Sequence, residues 1–242
     1  IGINLPNAEW IRERYGSKSV TLDNITYAYN QASLNSGVLD EFAYSDEEKE
    51  LVRTYGYVGG NVHTDLHECL GHGSGKMLPG VGQEALKNYY STIEEARADL
   101  FALYYVMDPK LVELGVIPSL DVAKSEYCNY IRNGLMVQLT RVKLGNNLEE
   151  SHMRNRQLIA SWVYEKGKEA NVIERVNREG KTYFTIRDYE ALRMLFGRLL
   201  AEVQRVKSEG DFEGARDLIE NYGVRVDPVL HQEVLERYQK LN

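Results

Sequence analysis

The chain has 242 residues, 43% of them hydrophobic and 27% charged, with a formal net charge of −7. That balance suits a soluble globular protein with room for a full core, as one large domain or two small ones. The acidic charge and the lack of any basic block argue against nucleic acid as a partner. No run approaches membrane-spanning length and no signal-peptide pattern opens the chain. Two cysteines, Cys69 and Cys128, make no disulfide framework, so a reducing, cytoplasmic setting is expected.

Ile1-Gly2-Ile3-Asn4-Leu5-Pro6-Asn7 has extended character, because Pro6 biases Leu5 away from helix. Asn4 and Asn7 carry donors and acceptors suited to a peptide backbone or an amino terminus, although asparagines in such a run also serve simply as turn residues. A short helix over 7–15 and an irregular link over 17–26 are predicted next. Ser45 with Glu48 forms a capping box that opens a helix through Tyr55. Gly56, Gly59 and Gly60 are expected to break the chain there, with Asn61 capping the following helix. His63 reads as a supporting or surface histidine.

The chain is organised around His67-Glu68-Cys69-Leu70-Gly71-His72, continued by Gly73-Ser74-Gly75-Lys76. Two neutral imidazoles with a carboxylate beside the first are what hydrolytic zinc chemistry requires: borderline nitrogen ligands and a group that takes a proton from water. In the familiar H-E-x-x-H helix the second histidine follows four residues on. Here it follows five residues on, roughly 140° round a regular helix rather than roughly 40°. The site therefore requires a local one-residue bulge, for which Gly71 offers the easiest backbone. Cys69 reads as packing. The glycine-rich stretch 71–82 reads as a loop, and Gly-Ser-Gly-Lys is too short for a phosphate-binding P-loop, with neither Ser nor Thr after Lys76.

Ser91 with Glu94 forms another capping box, so a helix is predicted from Ser91 through an apolar run to Met107. Glu95 is then free to face the first helix and complete a His/His/Glu set with one position open. Asp99, one turn on, shares its face and is placed to accept from the far nitrogen of a ligating histidine. The competing reading is a surface helix with solvated carboxylates. Residues 121–143 read as one long helix whose apolar positions face the core. Gly145-Asn146-Asn147 is a stop, and the next helix projects His152 and Arg156 from one face. Residues 172–186 carry the best strand signal, a β-hairpin, and 188–207, 211–222 and 228–241 read as amphipathic helices. With no repeats or linkers, residues 1–242 read as one mainly α domain with one small β-hairpin.

These residues resemble the dipeptidyl peptidase III family of zinc exopeptidases. That family carries H-E-x-x-G-H and E-E-x-R-A-D/E motifs, both matched here along with the Gly-Ser-Gly-Lys continuation, an Asn-x-Pro-Asn segment and a His-Met-x-x-Arg segment. The resemblance implies one zinc ion on His67, His72 and Glu95, Glu68 as general base, and Glu94 and Asp99 as supporting carboxylates. It implies that Asn4 and Asn7 hold the N-terminal end of a short peptide substrate. His152 would stabilise the developing oxyanion, and Arg156 would contact the peptide or align the site. The implied activity is release of dipeptides from peptide N-termini. Members have two lobes across a wide cleft, and this chain corresponds to the helical, zinc-bearing lobe. The short interval between the two motifs suggests a bacterial-type version. Starting at Ile1 rather than Met, the chain is expected to be an excised catalytic piece, poorly active alone, lacking a β-barrel lobe N-terminal to it. Two other classes stay open: a zinc-binding helical interaction lobe without turnover, and a module whose metal is purely structural. The last is weak, because a structural zinc normally closes four positions, usually with thiolates.

Overall fold

The computed structural model describes residues 2–6 and 9–241, and is mainly α with two small antiparallel sheets. In chain order the elements are β1 (Gly2–Leu5), α1 (Glu9–Tyr15), β2 (Lys18–Thr21), α2 (Asp23–Leu34), α3 (Val38–Phe42) and α4 (Asp46–Leu66). A π-helix over His67–His72 and a 3₁₀ segment over Gln83–Tyr89 lead into α5 (Tyr90–Val106), followed by α6 (Pro109–Glu113) and α7 (Asp121–Leu135). The chain closes with α8 (Ser151–Lys166), β3 (Ile173–Arg178), β4 (Lys181–Ile186), α9 (Tyr189–Glu209), α10 (Phe212–Ile219) and α11 (Pro228–Gln239).

Helix α5 is the axis of the fold. It packs on α4, α8, α9 and the π-helix, and Ile93, Ala96, Leu100, Leu103 and Val106 are fully buried along it. A helix apolar nearly all round belongs in a core. This one also carries Glu94, Arg97 and Asp99 into that core, and each must find partners there. The β3–β4 hairpin forms where strand propensity placed it, in register from Ile173↔Ile186 to Arg178↔Lys181.

Several elements differ from the sequence reading. Ser45 does cap α4, accepting from the Glu48 amide, but the helix runs unbroken to Leu66. Gly56 and Gly59 are points of contact rather than termination. A Cβ on Gly59 would lie 3.2 Å from the Val122 carbonyl oxygen, too close to backbone for comfort, while one on Gly56 would lie in ordinary contact with Asn129 Nδ2 at 3.4 Å. Asn61 lies inside the helix and not at its start. The link over 17–26 contains β2, which pairs with β1 from Gly2↔Thr21 to Leu5↔Lys18, and the start of α2. The long helix predicted over 121–143 ends at Leu135 and tightens to a 3₁₀ turn at Val137–Arg141. Cys69 is exposed rather than packed. No helix among the described residues is long and apolar enough to cross a membrane.

Candidate metal centre

The six residues His67–His72 wind as a π-helix directly continuing α4. Its i→i+5 hydrogen bonding brings residues five apart onto one face, so the expected bulge takes the form of a full wide turn. His67 Nε2 and His72 Nε2 stand 3.1 Å apart. Gly71 is needed for a reason other than backbone ease: a Cβ there would come within 2.6 Å of Ala98 Cα. The missing side chain lets the wide turn lie flat on α5, and so brings ligands from two elements together.

Each imidazole is held by its other nitrogen. His67 Nδ1 lies 2.7 Å from Asp99 Oδ1, and His72 Nδ1 lies 3.0 Å from Glu94 Oε1. Donation to a carboxylate fixes the tautomer and leaves both Nε2 lone pairs facing each other. Between them sits Glu95. Its Oε2 is buried with no hydrogen-bond partner, yet His67 Nε2, His152 Nε2 and His72 Nε2 surround it at 3.4, 3.5 and 3.7 Å. Two ring nitrogens and an orphaned carboxylate oxygen pointing at one spot form a donor set that calls for a cation, and the residue types suit zinc. Burial lowers the affinity of His67 for a proton, but Asp99 and Glu95 outweigh it and push the ring up to about 10. Burial raises Glu95, while the two histidines bring it down to about 2.

The supporting carboxylates are fully engaged. Asp99 Oδ1 faces His67 and, at 3.2 Å, His63 Nε2, while Oδ2 accepts from Tyr130 at 2.7 Å and Asn155 at 3.1 Å. His63, Tyr130 and Asn155 were not read as site residues, and only His63, one turn before His67, carried a signal. His63, His67 and Asp99 also cluster within 4.8 Å, but Asp99 has no oxygen left for a metal. Glu94 forms no capping box, because α5 begins at Tyr90 and Ser91 falls inside the helix. Instead Glu94 receives Arg97 Nε on Oε2 and Nη2 on Oε1, at 3.0 and 2.8 Å. Burial pushes the Glu94 carboxyl up, but His72, Arg97 and Lys207 bring it well below the usual carboxylate range.

A cleft of about 330 Å³ opens over this cluster, lined among others by Asn4, His67, Glu68, Glu95 and His152. Glu68 is buried, and a Cβ on Gly2 would lie 2.7 Å from its Oε1, so β1 rests directly on that carboxylate. Asn4 is oriented by chemistry, since its Nδ2 donates to the Glu68 carbonyl at 3.1 Å and to Ser19 Oγ at 2.9 Å. Its Oδ1 is buried and has no partner. The His152 side chain is 59% exposed, with Nδ1 2.6 Å from Glu150 Oε1. Arg156 is not among the residues lining the cleft; its Nη1 reaches Gln138 Oε1 at 3.4 Å. Asn7 lies outside the described residues. The residues expected from the sequence that meet around this cleft are thus His67, Glu68, His72, Glu94, Glu95, Asp99, Asn4 and His152.

Fold and site together define a helical protein with two histidines and one carboxylate, placed so that they could hold a cation, at the floor of an open cleft. The chain belongs to peptidase family M49, whose family model it matches over residues 1–90 and 80–237. Dipeptidyl peptidase 3 of Homo sapiens is 27% identical across 93% of this chain, and that of Mus musculus is 28% identical across the same share. The chain spans 35% of the length of these relatives. The solved structure of DPP III from Caldithrix abyssi superposes with a TM-score of 0.74 at 26% identity, covering 99% of this chain and 42% of that one. DPP III from Corallococcus sp. strain EGB shares the fold with a TM-score of 0.73 at 22% identity, covering 99% of this chain and 41% of that one.

Proposed function

We propose that this chain carries the metal centre and general base of a zinc-dependent dipeptidyl peptidase acting on the N-termini of short peptides. The observation that carries the reading is the buried, unpartnered Glu95 Oε2 among imidazole nitrogens, on the floor of the cleft that Glu68 lines. His67, His72 and Glu95 would hold one zinc ion. When bound, zinc supplies Lewis acidity that polarises a carbonyl and acidifies water.

Glu68 follows the first ligand in sequence and lines the cleft, so it takes the proton of the attacking water and returns it to the leaving amine. Asp99 and Glu94 fix the two rings by accepting from Nδ1, which costs no reorganisation during reaction. His152 donates Nδ1 to Glu150, so its Nε2 can donate to a developing oxyanion only as the doubly protonated ring. Asn4, with its amide nitrogen committed to the protein, offers Oδ1 to the ammonium of a substrate N-terminus. The membership in family M49 and the two named relatives support the peptidase class; the dipeptide register rests on those relatives.

Zinc analysis paired with dipeptidyl-arylamide hydrolysis tests this. Glu68→Ala is expected to abolish turnover with one zinc retained, and loss of the metal would contradict its role as base. Glu95→Ala is expected to lower zinc content, and an undiminished load would rule it out as a ligand.

A further inference from the structure

Lys207, near the C-terminal end of α9, is 1% exposed. Burying an ammonium is costly unless it is paired, and an apolar side chain would fill the same space more cheaply. Its Nζ lies 3.0 Å from Glu94 Oε2 and donates to the Gly75 carbonyl at 3.4 Å. Glu94 is the carboxylate that receives His72 Nδ1. We propose that Lys207 is a positioning residue for His72, acting through Glu94, a role that rests on the zinc reading above.

Arg97 grips Glu94 along one edge, one nitrogen to each oxygen. Lys207 adds a second cation on Oε2 alone. Together they fix the plane and the charge of the carboxylate, and leave Oε1 directed at the imidazole. The same two cations hold the end of the wide turn. Arg97 Nη2 donates to the Gly71 carbonyl at 2.6 Å and Nη1 to Ser74 Oγ at 3.3 Å. Ser208, beside Lys207, donates from Oγ to the Lys76 carbonyl at 2.8 Å and receives the Leu78 amide on its own carbonyl at 2.9 Å.

This accounts for Gly73-Ser74-Gly75-Lys76, a run the metal chemistry does not otherwise use. Gly75 adopts a left-handed φ of +88°, and a Cβ there would lie 2.6 Å from Arg97 Nη1. The run is backbone threaded between two buried cations, with no room for side chains at that point. Lys207 thus couples α9 to a ligand carried by the π-helix.

The test uses the full chain and five proteins: the parent, Lys207→Met, Lys207→Arg, Glu94→Gln and the double variant of Lys207→Met with Glu94→Gln. Zinc dissociation constants come from chelator competition, ligand geometry from the cobalt(II) absorption spectrum, and folding from circular dichroism. Lys207→Met is expected to weaken zinc binding about tenfold, in the range for residues that orient a ligand, and to shift the cobalt spectrum. In the Glu94→Gln background the same change is expected to cost less than about twofold, because the path through Glu94 is already cut. Lys207→Arg should recover most of the loss. Unchanged zinc affinity and cobalt spectrum in a folded Lys207→Met protein overturn the proposal, as does an equal loss in both backgrounds. If Lys207→Met does not fold, Lys207→Gln, which keeps a donor for Gly75 without the charge, is judged by the same two limits. A parent chain that takes up no zinc overturns the zinc reading with it; a zinc-binding parent with an indifferent Lys207 variant overturns the positioning role alone.

Discussion

Asp99 and Glu94 do the same job for His67 and His72, from the same helix, in opposite company. Asp99 is surrounded by Tyr130, Asn155 and two imidazoles, groups that are neutral or able to become so. Glu94 is held by Arg97 and Lys207, a guanidinium and an ammonium that both pair with it. One carboxylate is gripped by a phenol, an amide and imidazoles, the other mainly by two basic side chains. His67 and His72 therefore depend differently on mutation.

The sharpest way to break that comparison is Glu94→Gln. It removes the buried negative charge that Arg97 and Lys207 share, at an expected cost of about 3–5 kcal/mol in stability, read from denaturant midpoints of the metal-free chain. Asp99→Asn should cost less, about 3 kcal/mol at most. Its amide must turn NH2 toward one of two donor pairs, but His63 and His67 can shed a proton in response. Equal costs for the two would erase the distinction. Gly71→Ala forces a methyl onto Ala98. It is expected to cost about 2 kcal/mol by overpacking and to weaken zinc binding, since both ligands ride on that turn.

The same contrast can be read through pH. Burial opposes charge on His63, but Glu126 and Asp99 raise it to about 9, and His67 rises to about 10 in the metal-free chain. Both folded values exceed the unfolded value of about 6.5. The stability they contribute is therefore complete below about pH 6.5 and is lost as pH climbs through about 9 to 10. Zinc requires the deprotonated His67 ring, so its stabilising effect grows over the same interval. Thermal melts of metal-free and zinc-loaded protein should diverge as pH rises from 6.5 to 9. Parallel curves would contradict this.

The convergence of His67, His72 and Glu95 was legible because a cluster of that chemistry constrains residue type and spacing at once. It needed only the offset between two histidines and the face of the following helix. The π-helix was legible as a necessity, although its true length was not. What could not be read were the long-range partners. Nothing local marks Tyr130, Asn155 or Lys207 as reaching Asp99 or Glu94 across the core. Glycines misled in α4, where Gly56 and Gly59 looked like breaks and are points of contact with α7, a distinction only the neighbouring helix reveals. Ser91 and Glu94 matched a capping pattern whose geometry was pre-empted by the turn before it.

Gly2 against Glu68 makes a strand and a carboxylate into one mechanical part. The headroom above that acid is set by a residue that has no side chain, and its neighbour Asn4 grips the backbone of the same glutamate. Any side chain at position 2 would act as a wedge, levering the strand and the carboxylate apart.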